Sequence, residues 1–230
     1  MFSHSGEQGS ATMKVAVVLS GCGVFDGAEI HESVLTLLAL SRAGVEVQCM
    51  APNVAQKHVI NHLTGEEAKG ESRNVLVEAA RIARGNIIDI AKANPNDYAA
   101  VFFPGGFGAA KNLCDFAFKG SDCSVQPDVL RFAQGMAELK KPACYICIAP
   151  AMIPRIYDKG AELTIGTDAG TADKIGAMGG QHRQCPVSEF VVDKARNVVS
   201  TPAYMLADNI GEAATGIEKA VKATLELLHA

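Results

Sequence analysis

Lys141-Pro-Ala-Cys-Tyr-Ile-Cys147-Ile-Ala-Pro150-Ala-Met152 decides how the rest of the chain is read. Residues 143–146 are small, aromatic or β-branched and predict the end of a buried strand. Pro150 suits the first turn of a helix, where its missing N–H is no loss. Cys147 then falls at a strand-to-helix junction. That is the geometry of a nucleophile elbow, in which a sharp turn lifts one side chain above the carboxyl edge of a sheet. A helix starting there points its N-terminus at the sulfur, and its dipole and free N–H groups favour the thiolate. A cysteine at a strand end is more commonly a small buried hydrophobe. The segment therefore reads as a site only if its neighbours bring chemistry to it.

Outward from the elbow, the pattern is that of alternating strands and helices. Residues 14–19 and 99–103 are β-branched or aromatic runs, the mark of strands buried on both faces of a parallel sheet. Residues 28–43 predict a helix, with Ile30, Val34, Leu37 and Leu38 at helical spacing and Gly44 closing it. A second strand follows over residues 45–50, so the first fifty residues form a right-handed βαβ unit. Residues 58–70 read as a loop or short helix. Further helices are expected over 73–84, 128–139 and 172–178, and a strand over 162–166. Residues 190–192 and 197–200 suggest an edge hairpin. A long C-terminal helix over 205–228 would fray at Gly211 and Gly216. The whole predicts one doubly wound α/β domain over residues 13–230. Residues 1–12, polar and rich in Gly and Ser, predict a disordered extension.

Composition narrows the function. The 230 residues are 48% hydrophobic, enough for a substantial core, and carry a formal net charge of −4. That balance argues against a nucleic-acid footprint, which needs a basic face. No apolar run approaches the ~20 residues that span a bilayer, and residues 1–12 hold no apolar block of a signal peptide and no Arg of a transit segment. Seven cysteines at irregular spacing read as reduced thiols in a cytoplasmic protein.

In a doubly wound fold, ligands sit beyond the carboxyl ends of the strands. Three turns land there: residues 20–27, 104–108 and 147–150. Gly105 and Gly106 leave backbone N–H groups uncovered, which beside a nucleophile makes an oxyanion hole, with Ile148 N–H as second donor. Without the nucleophile, a Gly pair is merely a tight turn. Glu29 and Glu32 begin the first helix near the same edge, where a carboxyl could hydrogen-bond the sulfur or relay a proton. A lone Glu there is also favoured simply by the helix dipole. His31 lies between them and points about 100° from each. Cys144 and Cys147 form a CxxC, but strand positions three apart face opposite sides, roughly 10 Å from each other, too far for a disulfide. His58 and His62 lack partners at zinc spacing, so no metal is expected. Gly21-Cys-Gly23-Val-Phe-Asp-Gly27 follows a strand, as in a dinucleotide site. The second strand, however, ends Gln48-Cys49-Met50-Ala51 without the required carboxylate. No cofactor is expected.

At this point several long segments carry a resemblance. Leu19-Ser-Gly-Cys-Gly-Val-Phe-Asp-Gly-Ala-Glu-Ile-His-Glu32, Val59-Ile-Asn-His-Leu-Thr-Gly65, Ser72-Arg-Asn-Val-Leu76, Pro104-Gly-Gly-Phe-Gly-Ala-Ala-Lys-Asn112, Cys147-Ile-Ala-Pro150 and Thr201-Pro-Ala-Tyr-Met205 resemble glyoxalases of the ElbB type. These are also described as isoprenoid biosynthesis proteins with an amidotransferase-like domain, and belong with the PfpI-type and class I glutamine amidotransferase-like proteins. The resemblance implies a flavodoxin-like three-layer α/β sandwich, often dimeric, and cofactor-independent cysteine chemistry converting glyoxal to glycolate, or removing glyoxal adducts from proteins. It is thus the chemistry of a glyoxalase III-type hydro-lyase. In that superfamily the elbow Cys pairs with a Glu twelve residues before the Gly that ends the first helix. Counting back from Gly44 gives Glu32.

The implied site is Cys147 and Glu32, with Gly105, Gly106 and Ile148 holding the oxyanion. Cys22 and His31 are candidates for the same pocket. The chain departs from the superfamily after the elbow, where residues 148–157 contain no His. Protease or full amidotransferase activity is therefore not expected. A rival reading makes Cys147 a redox sensor in a non-catalytic regulatory protein; another, an accessory role in isoprenoid synthesis, rests on the family's name. The expected partners are a small reactive dicarbonyl and a second copy of the chain, with neither nucleic acid nor membrane.

Overall fold

Val15, Ala16, Val17 and Val18 are all inaccessible to solvent, as a strand covered on both faces requires. A computed structural model describes residues 13–230, and the extension expected over residues 1–12 lies outside the described residues. In chain order the first half holds β1 (Lys14–Val18), α1 (Ile30–Arg42), β2 (Glu46–Ala51), β3 (Ile60–Asn61), β4 (Glu66–Glu67), α2 (Val75–Ile82), β5 (Ile87–Asp89) and β6 (Val101–Phe103). The second half holds α3 (Phe116–Lys119), α4 (Pro127–Glu138), β7 (Ala143–Ile146), α5 (Ile153–Ile156), β8 (Glu162–Leu163), α6 (Ala169–Ala177), β9 (Gln181–His182), β10 (Val191–Asp193), β11 (Val198–Thr201) and α7 (Ile210–Glu226).

Seven strands form one sheet in the order β10-β11-β7-β6-β1-β2-β5. Every pairing is parallel except that of β10 with β11. The chain runs outward from β1 through β2 to β5, then returns to the other side of β1 as β6. Crossovers of opposite direction place their helices on opposite faces. α1, α2 and α7 therefore cover one face, where α1 packs on both of the others, and α4 and α5 cover the second. This is the flavodoxin-like three-layer sandwich. Phe102, Phe103, Phe132, Met136 and Tyr145 fill its core, with the Phe103 and Tyr145 rings stacked 4.6 Å apart.

The hairpin of β10 and β11 forms as expected, but only β10 is an edge, because β11 also pairs with β7. Residues 58–70, read as a loop or short helix, carry the small β3–β4 hairpin. The strand expected over 162–166 shortens to β8 and pairs with β9 outside the main sheet. Gly216 does not fray α7. It lies buried within the helix, where an added Cβ would collide with the Val187 carbonyl, so it marks a close approach.

Ile30, Val34 and Leu38, expected to face the core, are 44%, 48% and 40% exposed. The buried face is instead Glu32, Ser33, Thr36 and Leu40. Two hydroxyls make this face tolerable by bonding within the helix: Ser33 donates to Glu29 O and Thr36 to Glu32 O. The rotation delivers Glu32 to the interior.

Candidate active site

Four neighbouring parallel strands, β11, β7, β6 and β1, end at the same edge. The chain reverses its direction of travel across the sheet between β1 and β6, the switch point at which such folds bind ligands. Cys147 follows β7 directly, with φ of +66°, in the left-handed region that non-glycine residues seldom occupy. Its N–H still donates to Thr201 O at 3.0 Å, continuing the β7–β11 ladder one residue past the strand. Held there, the side chain leaves the sheet edge as an elbow requires. The residues beyond form a single 3-10 turn running into the four residues of α5. That short element offers less dipole than the expected helix, although the Ile148 N–H does point at the sulfur and favours the thiolate.

Glu32 meets Cys147 from α1. The carboxyl is fully buried, and Oε2 accepts the Tyr204 N–H at 3.1 Å. Oε1 makes no hydrogen bond of ordinary geometry, which leaves it available to the thiol beside it. Gly105 packs against this pair: a Cβ there would stand 2.5 Å from Cys147 Cβ and 2.9 Å from Sγ, so only glycine fits. Its carbonyl accepts the Glu29 N–H at 2.8 Å, tying the start of α1 to the glycine turn. Glu29 Oε2 in turn caps α1 by accepting the Glu32 N–H at 2.6 Å.

Burial sets the protonation of the pair. It pushes Glu32 up to about 8, with the Glu29 carboxyl adding to the rise, while the Tyr204 N–H, the Cys147 thiol and the Gly105 N–H pull the other way. Burial and the neighbouring Glu32 also hold the Cys147 thiol well above its ordinary range. Burial thus opposes the thiolate that the backbone N–H groups favour. Burial raises Glu29 as well.

A cavity of about 320 Å³ opens over the sulfur. Cys147 and Gly106 line it near the elbow; Val24, Phe107, Ala110, Phe116, Ile148 and Met205 give it an apolar wall. Thr171 and Tyr204 are its hydroxyl-bearing members. The Tyr204 hydroxyl lies 2.7 Å from His31 Nδ1.

The structure therefore brings Cys147, Glu32, Gly105, Gly106 and Ile148 together, in roles that differ in detail from the expectation. The Gly105 N–H lies toward the Glu32 carboxyl and favours its ionised form. Gly106 borders the cavity and Ile148 N–H faces the sulfur. His31 does not reach the cavity; it touches it only through Tyr204. Cys22 lies outside the cavity on the α2 side, its half-buried thiol raised by burial and surrounded by Arg81, Glu78, Asp26 and Arg73. His62 stacks on Phe25 and accepts its N–H, and no cluster of His, Cys, Asp or Glu among the described residues could hold a metal ion. Tyr204 is the residue the sequence reading passed over. It stands in the quoted segment Thr201-Pro-Ala-Tyr-Met205, directly after a strand that ends at the ligand edge, and that position was the available signal.

This fold with a cysteine elbow and a carboxyl from the first helix defines a class I glutamine amidotransferase-like protein of the DJ-1/PfpI superfamily. Within it, the chain belongs to the family of the ES1 proteins. It is 46% identical over 223 residues to the ES1 protein homolog, mitochondrial, of Rattus norvegicus, covering 93% of this chain and 84% of that protein. Identity is again 46% to the human glutamine amidotransferase-like class 1 domain-containing protein 3, mitochondrial, over 93% of this chain and 83% of that one. Among solved structures, an isoprenoid biosynthesis protein with amidotransferase-like domain from Ehrlichia chaffeensis superposes with a TM-score of 0.88 at 36% identity. The match covers 94% of this chain and all (100%) of the other. Glyoxalase III from Candida albicans, at 16% identity and a TM-score of 0.59 over 92% of this chain and 97% of that one, shares the fold. No family model matches the chain.

The relatives' names overturn the cytoplasmic expectation, since both curated proteins are mitochondrial. The expectation leaned on unpaired cysteines, all seven of which are free, and on the lack of Arg in residues 1–12, which does not decide the compartment. Free thiols report a reducing environment, which does not single out the cytoplasm.

Proposed function

We propose that this protein is a cofactor-independent glyoxalase-type enzyme that converts a 2-oxoaldehyde to the 2-hydroxy acid through Cys147. The observation that carries the reading is the buried Cys147–Glu32 pair at the base of a partly open cavity. As Sγ bonds to the aldehyde carbon, the thiol proton passes to the ionised Glu32 and from it to the aldehyde oxygen, which becomes the hydroxyl of a hemithioacetal and leaves Glu32 ionised again. Gly106 and Ile148 are the backbone groups placed to steady that oxygen. Glu32 then moves the proton from the former aldehyde carbon to the neighbouring carbonyl carbon through an enediol. The result is a 2-hydroxyacyl thioester. Water cleaves it, releasing the acid and restoring the thiol. The aldehyde carbon is oxidised and its neighbour reduced, so no external oxidant is required.

Geometry favours this reading over a redox sensor: a sensor cysteine is open to oxidants in solvent, whereas Cys147 is 7% exposed at the base of a cavity of small-molecule size. The proposal includes a homodimer, to be checked by sedimentation, and a mitochondrial placement by analogy with the named relatives. Glycolate formation from glyoxal by wild type, Cys147→Ala and Glu32→Gln tests the chemistry. Loss of about 100-fold or more in both variants is the expected result. Equal activity in all three proteins would end the proposal.

A further inference from the structure

The cavity over Cys147 is far larger than the substrate that the family resemblance implies. Glyoxal has four heavy atoms. At roughly the 30 Å³ that a water-sized group occupies, it would fill on the order of a third of the space. The remaining volume is walled by Val24, Phe107, Ala110, Phe116, Ile148 and Met205. These side chains come from four separated parts of the chain, so the apolar wall is a product of the fold.

The wall also lacks the groups that would recognise a charged substrate. Among the described residues, no Lys, Arg or His lines the cavity. Lys111 lies outside, 5.6 Å over the Phe107 ring, with its ammonium donating to Phe25 O. The Thr171 hydroxyl is already committed to Asp168 Oδ2 at 2.6 Å. Cys147 and the Tyr204 backbone meet at Glu32, Thr171 is the other polar side chain of the lining, and the remaining side chains are hydrocarbon. A pocket of this kind binds a neutral molecule with one reactive polar head and an apolar tail.

We infer that the site takes 2-oxoaldehydes R–CO–CHO in which R is a branched or linear hydrocarbon of roughly four to six carbons, with the dicarbonyl head at Cys147 and R against Val24, Phe107, Phe116 and Met205. The inference rests on the function proposed above and names its substrate class. The reaction balances as R–CO–CHO plus water giving R–CHOH–COOH. The aldehyde hydrogen moves to the neighbouring carbon, and the oxygen of water enters the carboxyl group.

The test compares kcat/KM for glyoxal, methylglyoxal and 4-methyl-2-oxopentanal, whose substituents contain none, one and four carbons. Burial of each carbon should raise kcat/KM by about fourfold, for a gain of tenfold or more across the series. Ala117 also lines the cavity and is exposed at its rim, so added bulk there enters the space without disturbing the core. Ala117→Phe should lower the ratio of 4-methyl-2-oxopentanal to glyoxal kcat/KM by tenfold or more. A second measurement does not depend on turnover: binding of 4-methylpentan-2-one and acetone to Cys147→Ser, followed by NMR, should favour the larger ketone at least tenfold. Glyoxal turnover with no gain along the series, or equal binding of the two ketones, overturns the inference and leaves the proposed chemistry intact. Preferential binding of the larger ketone without turnover of any aldehyde upholds the cavity's selectivity and removes the glyoxalase reading.

Discussion

Glu32 carries two properties that pull in opposite directions. Its carboxyl is fully buried and raised to about 8, yet the proposed chemistry uses its ionised form. Wild-type kcat/KM should therefore rise with pH and level off above about 8, the free-enzyme pKa of the essential base. A pH–rate profile with no inflection between pH 6 and 9 would contradict that assignment. The same group makes stability pH-dependent. In the unfolded chain the carboxyl ionises near 4.5, while in the folded protein it holds its proton to about 8. Its contribution to stability is thus complete below pH 4.5 and lost as pH rises through 8. Gln cannot ionise, so Glu32→Gln should be more stable than wild type at pH 8, by on the order of 3–5 kcal/mol. Urea titrations at pH 5 and pH 8 check this. A gap that does not shrink toward pH 5 would mean that packing, and not ionisation, governs the difference.

At the scale of elements, α1 and α7 show where periodicity misleads. On α1, Ile30, Val34 and Leu38 recur at helical spacing, yet they form the exposed side. Hydropathy alone could not assign Glu32, Ser33 and Thr36 to the interior, because their burial depends on the bonds to Glu29 O, Glu32 O and Tyr204 N. On α7, Gly216 reads as a helix breaker in sequence and proves to be a contact point with the Val187 carbonyl. Gly216→Ala would improve helix propensity by about 1 kcal/mol but force α7 away from that carbonyl. A net destabilisation of about 1–3 kcal/mol is expected by the overpacking argument. A thermal melt in which the alanine variant unfolds at or above the wild-type temperature would show that the helix can shift freely.

Across the whole molecule, the sheet and its core hold the site rather than merely carrying it. Phe102 on β6 is inaccessible to solvent, one residue from the strand end that leads into Gly105 and Gly106. Phe102→Ala should cost about 3–5 kcal/mol, lowering the melting temperature by roughly 10 °C for a domain of this size. Calorimetry measures it; a fall of under 3 °C would mean that the core closes over the gap.

The sequence by itself determined the central strands β1, β2, β6 and β7, the elbow at Cys147 and the glycine turn facing it, because each is written in local chemistry, whereas the short edge strand β5 was not marked. β-branched runs mark strands buried on both faces, Pro150 marks a helical start, and paired glycines mark a tight approach. Through the family resemblance the sequence also pointed to Glu32. Only the tertiary structure decided which face of α1 is buried, that Cys22 lies outside the pocket, that Tyr204 lies within it, and that Cys147 and Glu32 meet out of solvent. These depend on what lies across space from each group: desolvation and hydrogen bonding are set by neighbours from distant parts of the chain, and a one-dimensional pattern does not contain them.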